Sequence, residues 1–247
     1  MKNVNFAQKA ALITGASLRI GKALALALAD NAIRVGIHYF RSEKPALALA
    51  STLKQRGVQT TLVSGDLSSP ETTQKVLENA ASDLNGIDYL INNASVWHPS
   101  HLMSFNQENL QSTISVNTFA PLVLTRSFAR ASMQGVVLNL LDCRMTDYDQ
   151  SNVAYHLSKR LLSDLTRLLA IELAPRIRVN AVAPGLILPP KGGRRDYLEQ
   201  RRKSNPLERI GTLKDITDAA LFLLNAPSVT GQTVFVDGGR NLNGSVY

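Results

Sequence analysis

The sequence predicts an α/β fold: a single-domain, doubly wound (Rossmann-type) sheet of seven parallel strands with helices on both faces. Three observations carry this. Short β-rich apolar runs alternate with helical patterns from end to end. The strand runs are apolar enough to be covered on both sides, which a parallel sheet requires. The first strand runs directly into a glycine-bearing turn that opens the first helix. The 247 residues suit one domain with a full core.

Ala10 to Thr14 is the first predicted strand, and Ile20 to Asp30 the first helix. Between them lies Thr14-Gly15-Ala16-Ser17-Leu18-Arg19-Ile20-Gly21. Gly15 permits a tight turn and Gly21 a close approach of helix to sheet, while free amides at the helix start can hold a pyrophosphate. Arg19 stands where a middle glycine is usual; its guanidinium suits cofactor phosphates or an anionic substrate edge, and otherwise serves as a surface residue.

Ile33 to Tyr39 is the second strand, followed by a helix from Lys44 to Arg56. The second strand ends His38-Tyr39-Phe40-Arg41-Ser42, without the acid that binds the ribose hydroxyls of NAD. Arg41 and Ser42 suit the extra phosphate of NADP instead. His38 reads as a satisfied structural histidine. Asp66, after the third strand at Val58 to Val63, either accepts from an adenine amino group or caps the next turn. A helix from Glu71 to Leu84 leads to the fourth strand, Ile87 to Ile91.

Asn92-Asn93-Ala94-Ser95 ends that strand, where polar side chains can fix a loop beneath a cofactor. Trp97, the only tryptophan, follows on the loop and suits stacking on a flat heterocycle, or else core packing. A helical pattern from Gln107 to Met133 contains Asn117, a buried amide that needs a partner. It holds either a water linking Lys159 to solvent or a local structural bond. The fifth strand, Val136 to Leu141, leads to Asp142 and Cys143, which as strand neighbours should face opposite sides.

The helix from Asn152 to Leu173 carries Tyr155 and Lys159 on one face, one turn apart. An ammonium there favours the phenolate, so the tyrosine's pKa is expected to fall and let it exchange a proton near neutral pH. Ile177 to Ala181 is the sixth strand, with Pro184-Gly185 beyond it. Leu213 to Leu224 is the last long helix and Thr233 to Val236 the seventh strand.

Composition is that of an ordinary globular domain, 45% apolar and 19% charged. No apolar run is long enough to span a bilayer, and the run after Lys9 continues into the glycine turn instead of a cleavage site. The single Cys143 precludes an intrachain disulfide and fits a reducing cytoplasm. The net charge of +8 is dispersed except between Lys191 and Lys203, which lacks the aromatic interleaving of a nucleic-acid surface. A solvated segment, with some attraction for an anionic cofactor, is expected; no nucleic acid and no membrane partner is.

Together, Thr14-Gly15 through Gly21, Asn92-Asn93-Ala94, Asn117, Tyr155 with Lys159, Arg178-Val179-Asn180, Pro184-Gly185 and Asp237-Gly238-Gly239 resemble the short-chain dehydrogenase/reductase family over nearly the whole chain. Within it, Arg19, His38 to Ser42, Ser95 with an aromatic two residues on, and Asp142 in place of the family's serine resemble the pteridine reductases and dihydromonapterin reductases. That resemblance implies NADPH-dependent reduction of a dihydropterin to the tetrahydro form. The cofactor would meet Gly15, Arg19, Ile20, Gly21, His38, Tyr39, Arg41, Ser42, Asp66, Leu67, Asn93, Ala94, Ser95, Tyr155, Lys159, Pro184, Gly185 and Ile187. Arg19, Ser95, Trp97, Asp142 and Tyr155 would meet the pterin, and Asp142, Tyr155, Lys159 and Asn117 would carry the chemistry, without a metal. A variable substrate loop at about 186–205 and a homotetramer are also implied. A carbonyl reductase acting on a 3-oxoacyl group and a non-enzymatic NADP-binding sensor remain the alternatives.

Overall fold

The computed structural model describes residues 8–146, 148, 150–190, 192–194 and 196–243. Lys191 and Arg195 of the basic stretch lie outside them. The strands are β1 (Ala10–Ile13), β2 (Arg34–Tyr39), β3 (Thr60–Ser64), β4 (Tyr89–Asn92), β5 (Gly135–Leu140), β6 (Ile177–Pro184) and β7 (Thr233–Val236). They form one sheet in the order β3-β2-β1-β4-β5-β6-β7, and every neighbouring pair is parallel. The predicted fold class is the one found.

The helices are α1 (Arg19–Asp30), α2 (Glu43–Gln55), α3 (Pro70–Asp83), α4 (Gln107–Ile114), α5 (Ala120–Ala131), α6 (Val153–Glu172) and α7 (Leu213–Asn225). Alternate strand residues feed two cores. Ala11 and Ile13 pack with the buried leucines of α1 and α2 and with α7, whereas Ala10 and Leu12 face α3, α5 and α6. Period-2 side-chain alternation along β1 thus binds both helical layers to one sheet.

The run predicted as one helix over Gln107 to Met133 is interrupted. Ser115–Phe119 forms a π turn, in which the Ala120 amide bonds to the Ser115 carbonyl five residues back. Pro121 explains the break: it has no N–H to give the carbonyl of Asn117. Asp142 and Cys143 also lie past the end of β5, with Cys143 opening a short 3₁₀ turn, so they are not strand neighbours.

Because β1 lies between β2 and β4, the chain leaves the sheet centre in opposite directions from there. Ligands of such sheets bind beyond the strand ends at this switch point. The candidate site lies there.

Candidate active site

The turn after β1 is held from three sides. Gly15 adopts φ +61°, and its amide donates to His38 Nδ1 at 3.1 Å. With Nδ1 accepting, His38 Nε2 donates to the Gly65 carbonyl, also at 3.1 Å. Burial lowers its pKa to about 4, against the weaker pull of the Gly65 carbonyl, so the ring is neutral and bridges three strand ends. Asn93 Nδ2 donates to the carbonyls of Thr14 and Gly15, and the amides of Asn93 and Ala94 donate to Thr14 Oγ1. A Cβ on Gly21 would strike the Gly15 carbonyl oxygen and stand 2.6 Å from Asn93 Nδ2. Only glycine lets α1 start this close to the turn.

The first turn of α1 contains no acidic residue, and its N-cap, Leu18, offers no side-chain acceptor. Its free amides therefore remain for an anion. A cavity of about 660 Å³ opens over this helix start. Its wall includes Gly15, Arg19, Ile20, Gly21, His38, Tyr39, Arg41, Ser42, Asp66, Leu67, Asn93, Ala94, Ser95, Tyr155, Lys159 and Pro184. Arg19, Arg41 and Lys159 give it three cations, which suits a polyphosphate.

Arg41 sits with its guanidinium 4.9 Å from the Phe40 ring centre, and Ser42 Oγ lies 2.6 Å from Ser17 Oγ. The end of β2 therefore presents a cation beside paired hydroxyls, as a ribose phosphate requires. Asp66 both lines the cavity and accepts from the Ser68 amide at 2.9 Å, so its turn-capping role is realised at the wall itself. Gly185 and Ile187 lie behind this wall: Gly185 N donates to the Val236 carbonyl, and Ile187 is buried in the core.

Arg19 has φ +53°, a left-handed conformation that costs a side-chain-bearing residue roughly 1–2 kcal/mol. That explains why glycine is usual here. Its Nη2 donates 2.8 Å to the Pro189 carbonyl, joining the glycine turn to the segment after β6.

At the cavity's far end Tyr155 Oη donates 3.1 Å to Asp142 Oδ2, while Asp142 Oδ1 accepts from the Arg144 amide at 2.8 Å. Lys159 is 3% exposed; its Nζ donates 2.7 Å to the Leu140 carbonyl and stands 5.6 Å from the Tyr155 ring centre. Burial lowers its pKa to about 8, partly opposed by Asp142. The expected fall in the Tyr155 pKa does not occur. Burial, then the charge of Asp142 and its hydrogen bond, hold the phenol well above its ordinary value. The carboxylate in contact outweighs the ammonium, so Tyr155 is a proton donor in this state.

The Asn117 side chain makes the local structural bonds of the alternative reading. Its Oδ1 accepts from the Val96 amide, and its Nδ2 donates to the Val96 carbonyl and Ser158 Oγ. The π turn thereby pins the loop leaving β4 against α6. Trp97 is not in this cavity's wall; it stands on that loop, 52% exposed. Cys143 is buried, and burial raises its thiol pKa, so it has no nucleophilic character.

Ser68, His98, Ser112 and Leu140 line the cavity but carry no signal of a site in the sequence alone. Ser68 lies just beyond Asp66, which placed it within reach of inference. His98 and Ser112 come together only through the packing of the β4 loop on α4. His98 Nδ1 lies 3.3 Å from Thr113 Oγ1, whose hydroxyl donates to the Asn109 carbonyl.

Nucleotide cradle, cationic wall and Tyr155 beside buried Lys159 define a dinucleotide-dependent oxidoreductase. The chain belongs to the short-chain dehydrogenase/reductase family: residues 15–241 match the family described as Enoyl-(Acyl carrier protein) reductase. It is 30% identical over 239 residues to the 3-oxoacyl-[acyl-carrier-protein] reductase FabG of Staphylococcus epidermidis, covering 94% of this chain and 98% of that one. It is also 30% identical over 244 residues to the dihydromonapterin reductase of Enterobacter sp., covering 97% and 99%. The structure of FolM alternative dihydrofolate reductase 1 from Brucella canis, complexed with NADP, superposes with a TM-score of 0.90 at 31% identity, covering 97% and 96%. NADPH is the cofactor of this fold and cradle.

Proposed function

We propose that the protein is an NADPH-dependent pteridine reductase that takes a dihydropterin to the tetrahydro form. The Asp142–Tyr155 hydrogen bond beside buried Lys159 carries this reading. NADPH supplies a hydride to the carbon of a ring C=N bond, and the ring nitrogen needs one proton. Tyr155 and Asp142 are in contact, and two anions so close are disfavoured, so the pair retains a proton at neutral pH. That proton is delivered to the ring nitrogen, directly or through water, while the Lys159 ammonium offsets the charge left behind. Lys159 uses one N–H on Leu140 and keeps two for the nicotinamide ribose.

Asp142 also accepts from an aminopyrimidine edge, which a serine does poorly. Arg19 and Ser95 line the cavity that Tyr155 also borders, and the exposed Trp97 is assigned to stacking on the pterin. Pro121 leaves the Asn117 backbone, in place of its side chain, to hold any relay water. The relationship to dihydromonapterin reductase and FolM supports this substrate class.

Carbonyl reduction is the second reading, favoured by equal identity to FabG. An anionic Asp142 where an oxyanion develops works against it. Turnover of NADPH with dihydropterins, with 3-oxoacyl thioesters and with neither separates pteridine reductase, carbonyl reductase and sensor. Activity on thioesters alone would overturn the proposal.

The assembly proposed is a homotetramer. The exposed apolar side chains Leu157, Leu161, Leu168 and Ile171 of α6, with Phe119 nearby in sequence to α5, support association through the long helices. Light scattering on the purified chain tests it. A cytoplasmic location is proposed with it; among the described residues no helix is long and apolar enough to cross a membrane.

A further inference from the structure

We infer, resting on the pteridine-reductase reading, that Arg240 is a specificity-determining residue that selects dihydropterins carrying an anionic tail, a carboxylate or a phosphate. Arg240 opens the 3₁₀ turn Arg240–Leu242, just past β7. That turn is fixed from within. Gly239 holds φ +85°, and the two oxygens of buried Asp237 accept from the Gly239 and Asn241 amides at 2.9 and 2.7 Å. It packs on the 3₁₀ turn Cys143–Thr146, where Thr146 Oγ1 donates 3.4 Å to the Asn241 carbonyl. This second turn begins one residue after Asp142, whose Oδ1 accepts from its Arg144 amide. Arg240 is therefore anchored at the end of the site where Asp142 meets Tyr155, and its charge reaches the thiol of Cys143, next in sequence to Asp142.

No protein anion answers this guanidinium. Among the described residues no carboxylate pairs with Arg240. The carboxylates that share its surroundings, Asp142 and Asp237, are already bonded, the first to Tyr155 and the Arg144 amide, the second to the two turn amides. The cofactor does not explain it either. Arg19, Arg41 and Lys159 stand in the wall of the nucleotide cavity, and Arg240 does not. A pterin ring carries no formal negative charge at neutral pH, so an anion for Arg240 must come from the substituent on the ring. The planar fork of N–H donors matches the paired oxygens of a carboxylate or a phosphate. Arg240 is only partly buried, so water and salt screen the pairing and its effect is a few-fold preference, not an absolute one.

Three probes share the ring and differ in the tail: neutral 6-hydroxymethyl-7,8-dihydropterin, 7,8-dihydroneopterin phosphate, and dihydrofolate with its carboxylates. Steady-state kcat/KM is measured for each at saturating NADPH. In Arg240→Gln the ratio of anionic to neutral kcat/KM should fall about 3- to 10-fold. Arg240→Lys, which keeps the charge, should retain most of the ratio. Raising the salt from about 20 to about 500 mM should lower the same ratio in the unaltered protein but not in Arg240→Gln. The probe whose ratio falls further, phosphate or carboxylate, identifies the tail. Equal losses for charged and neutral probes, or a ratio that neither the substitution nor salt moves, overturns the inference. Should Arg240→Gln fail to fold, the salt series on the unaltered protein decides, and a ratio insensitive to salt overturns it. Turnover of the neutral and anionic probes without discrimination defeats the role of Arg240 alone, whereas no turnover of any of the three defeats the pterin reading itself.

Discussion

Replacing Asp142 by Ser tests the proposed chemistry most directly. The carboxylate accepts from Tyr155 Oη at 3.1 Å and from the Arg144 amide at 2.8 Å. Serine has one shorter oxygen and cannot meet both. The lost Arg144 contact is partly exposed and backbone-directed, worth about 1 kcal/mol of stability. Loss of a charge-assisted bond to the pterin should cost about 1.5–3 kcal/mol in transition-state binding. At about 1.4 kcal/mol per decade, kcat/KM for a dihydropterin should fall by roughly 10- to 150-fold. NADPH affinity should hardly change, because Asp142 is not in the wall of the nucleotide cavity. Tyr155 gives a second readout. Burial, the largest cause of its raised pKa, persists in the variant, but the charge and hydrogen bond of Asp142 do not. The phenol should therefore become more acidic, moving the alkaline limb of the pH–rate profile downward. Steady-state rates with a dihydropterin, set beside NADPH fluorescence titration and a pH series, measure all three effects. A serine variant with undiminished pterin turnover would refute the assignment and restore the carbonyl-reductase reading.

Other predictions follow from single contacts. Gly21→Ala forces a Cβ onto the Gly15 carbonyl and Asn93, so thermal unfolding should show a loss of about 1–3 kcal/mol, with weakened NADPH binding. Arg41→Ala should raise the NADPH dissociation constant about tenfold and leave that for NADH nearly unchanged; equal changes in the two titrations would remove Arg41 from the phosphate site. Trp97→Ala should weaken pterin binding by roughly 0.5–1.5 kcal/mol of stacking with less effect on NADPH, and unchanged pterin binding would return the ring to a surface role. Lys159 has a folded pKa of about 8 against an ordinary 10.5, so the unfolded chain binds the extra proton between these values. Stability from this group therefore rises with pH across that window, by about 1 kcal/mol from pH 8 to 9 in the protein without cofactor. Cys143, held protonated by burial, opposes the gain as pH passes its ordinary value of 9.0. The difference in slope between the unaltered protein and Lys159→Met, from denaturant unfolding at the two pH values, isolates the lysine.

The order of strands and helices was legible in the sequence because each element is a local pattern of apolar period, caps and glycines. Gly15, Gly21, Asn93, Tyr155 and Lys159 could be named for the same reason: their spacing follows from a strand, a turn or one helical face. The break at Ser115–Phe119 was equally local, signalled by Pro121, but the apolar periodicity running through it hid the break. What depended on distance in space was not legible. His98 and Ser112 meet the cavity only through the packing of the β4 loop on α4, and Arg19 meets Pro189 across the whole chain. The sign of the Tyr155 pKa shift is the clearest case. Sequence places the lysine one turn away on the same helix, and local reasoning gives the ammonium the deciding influence. Only the tertiary structure buries the phenol and sets the Asp142 carboxylate 3.1 Å from it. Desolvation and through-space charge depend on how distant segments pack, so they belong to the fold and not to the spacing of residues along it.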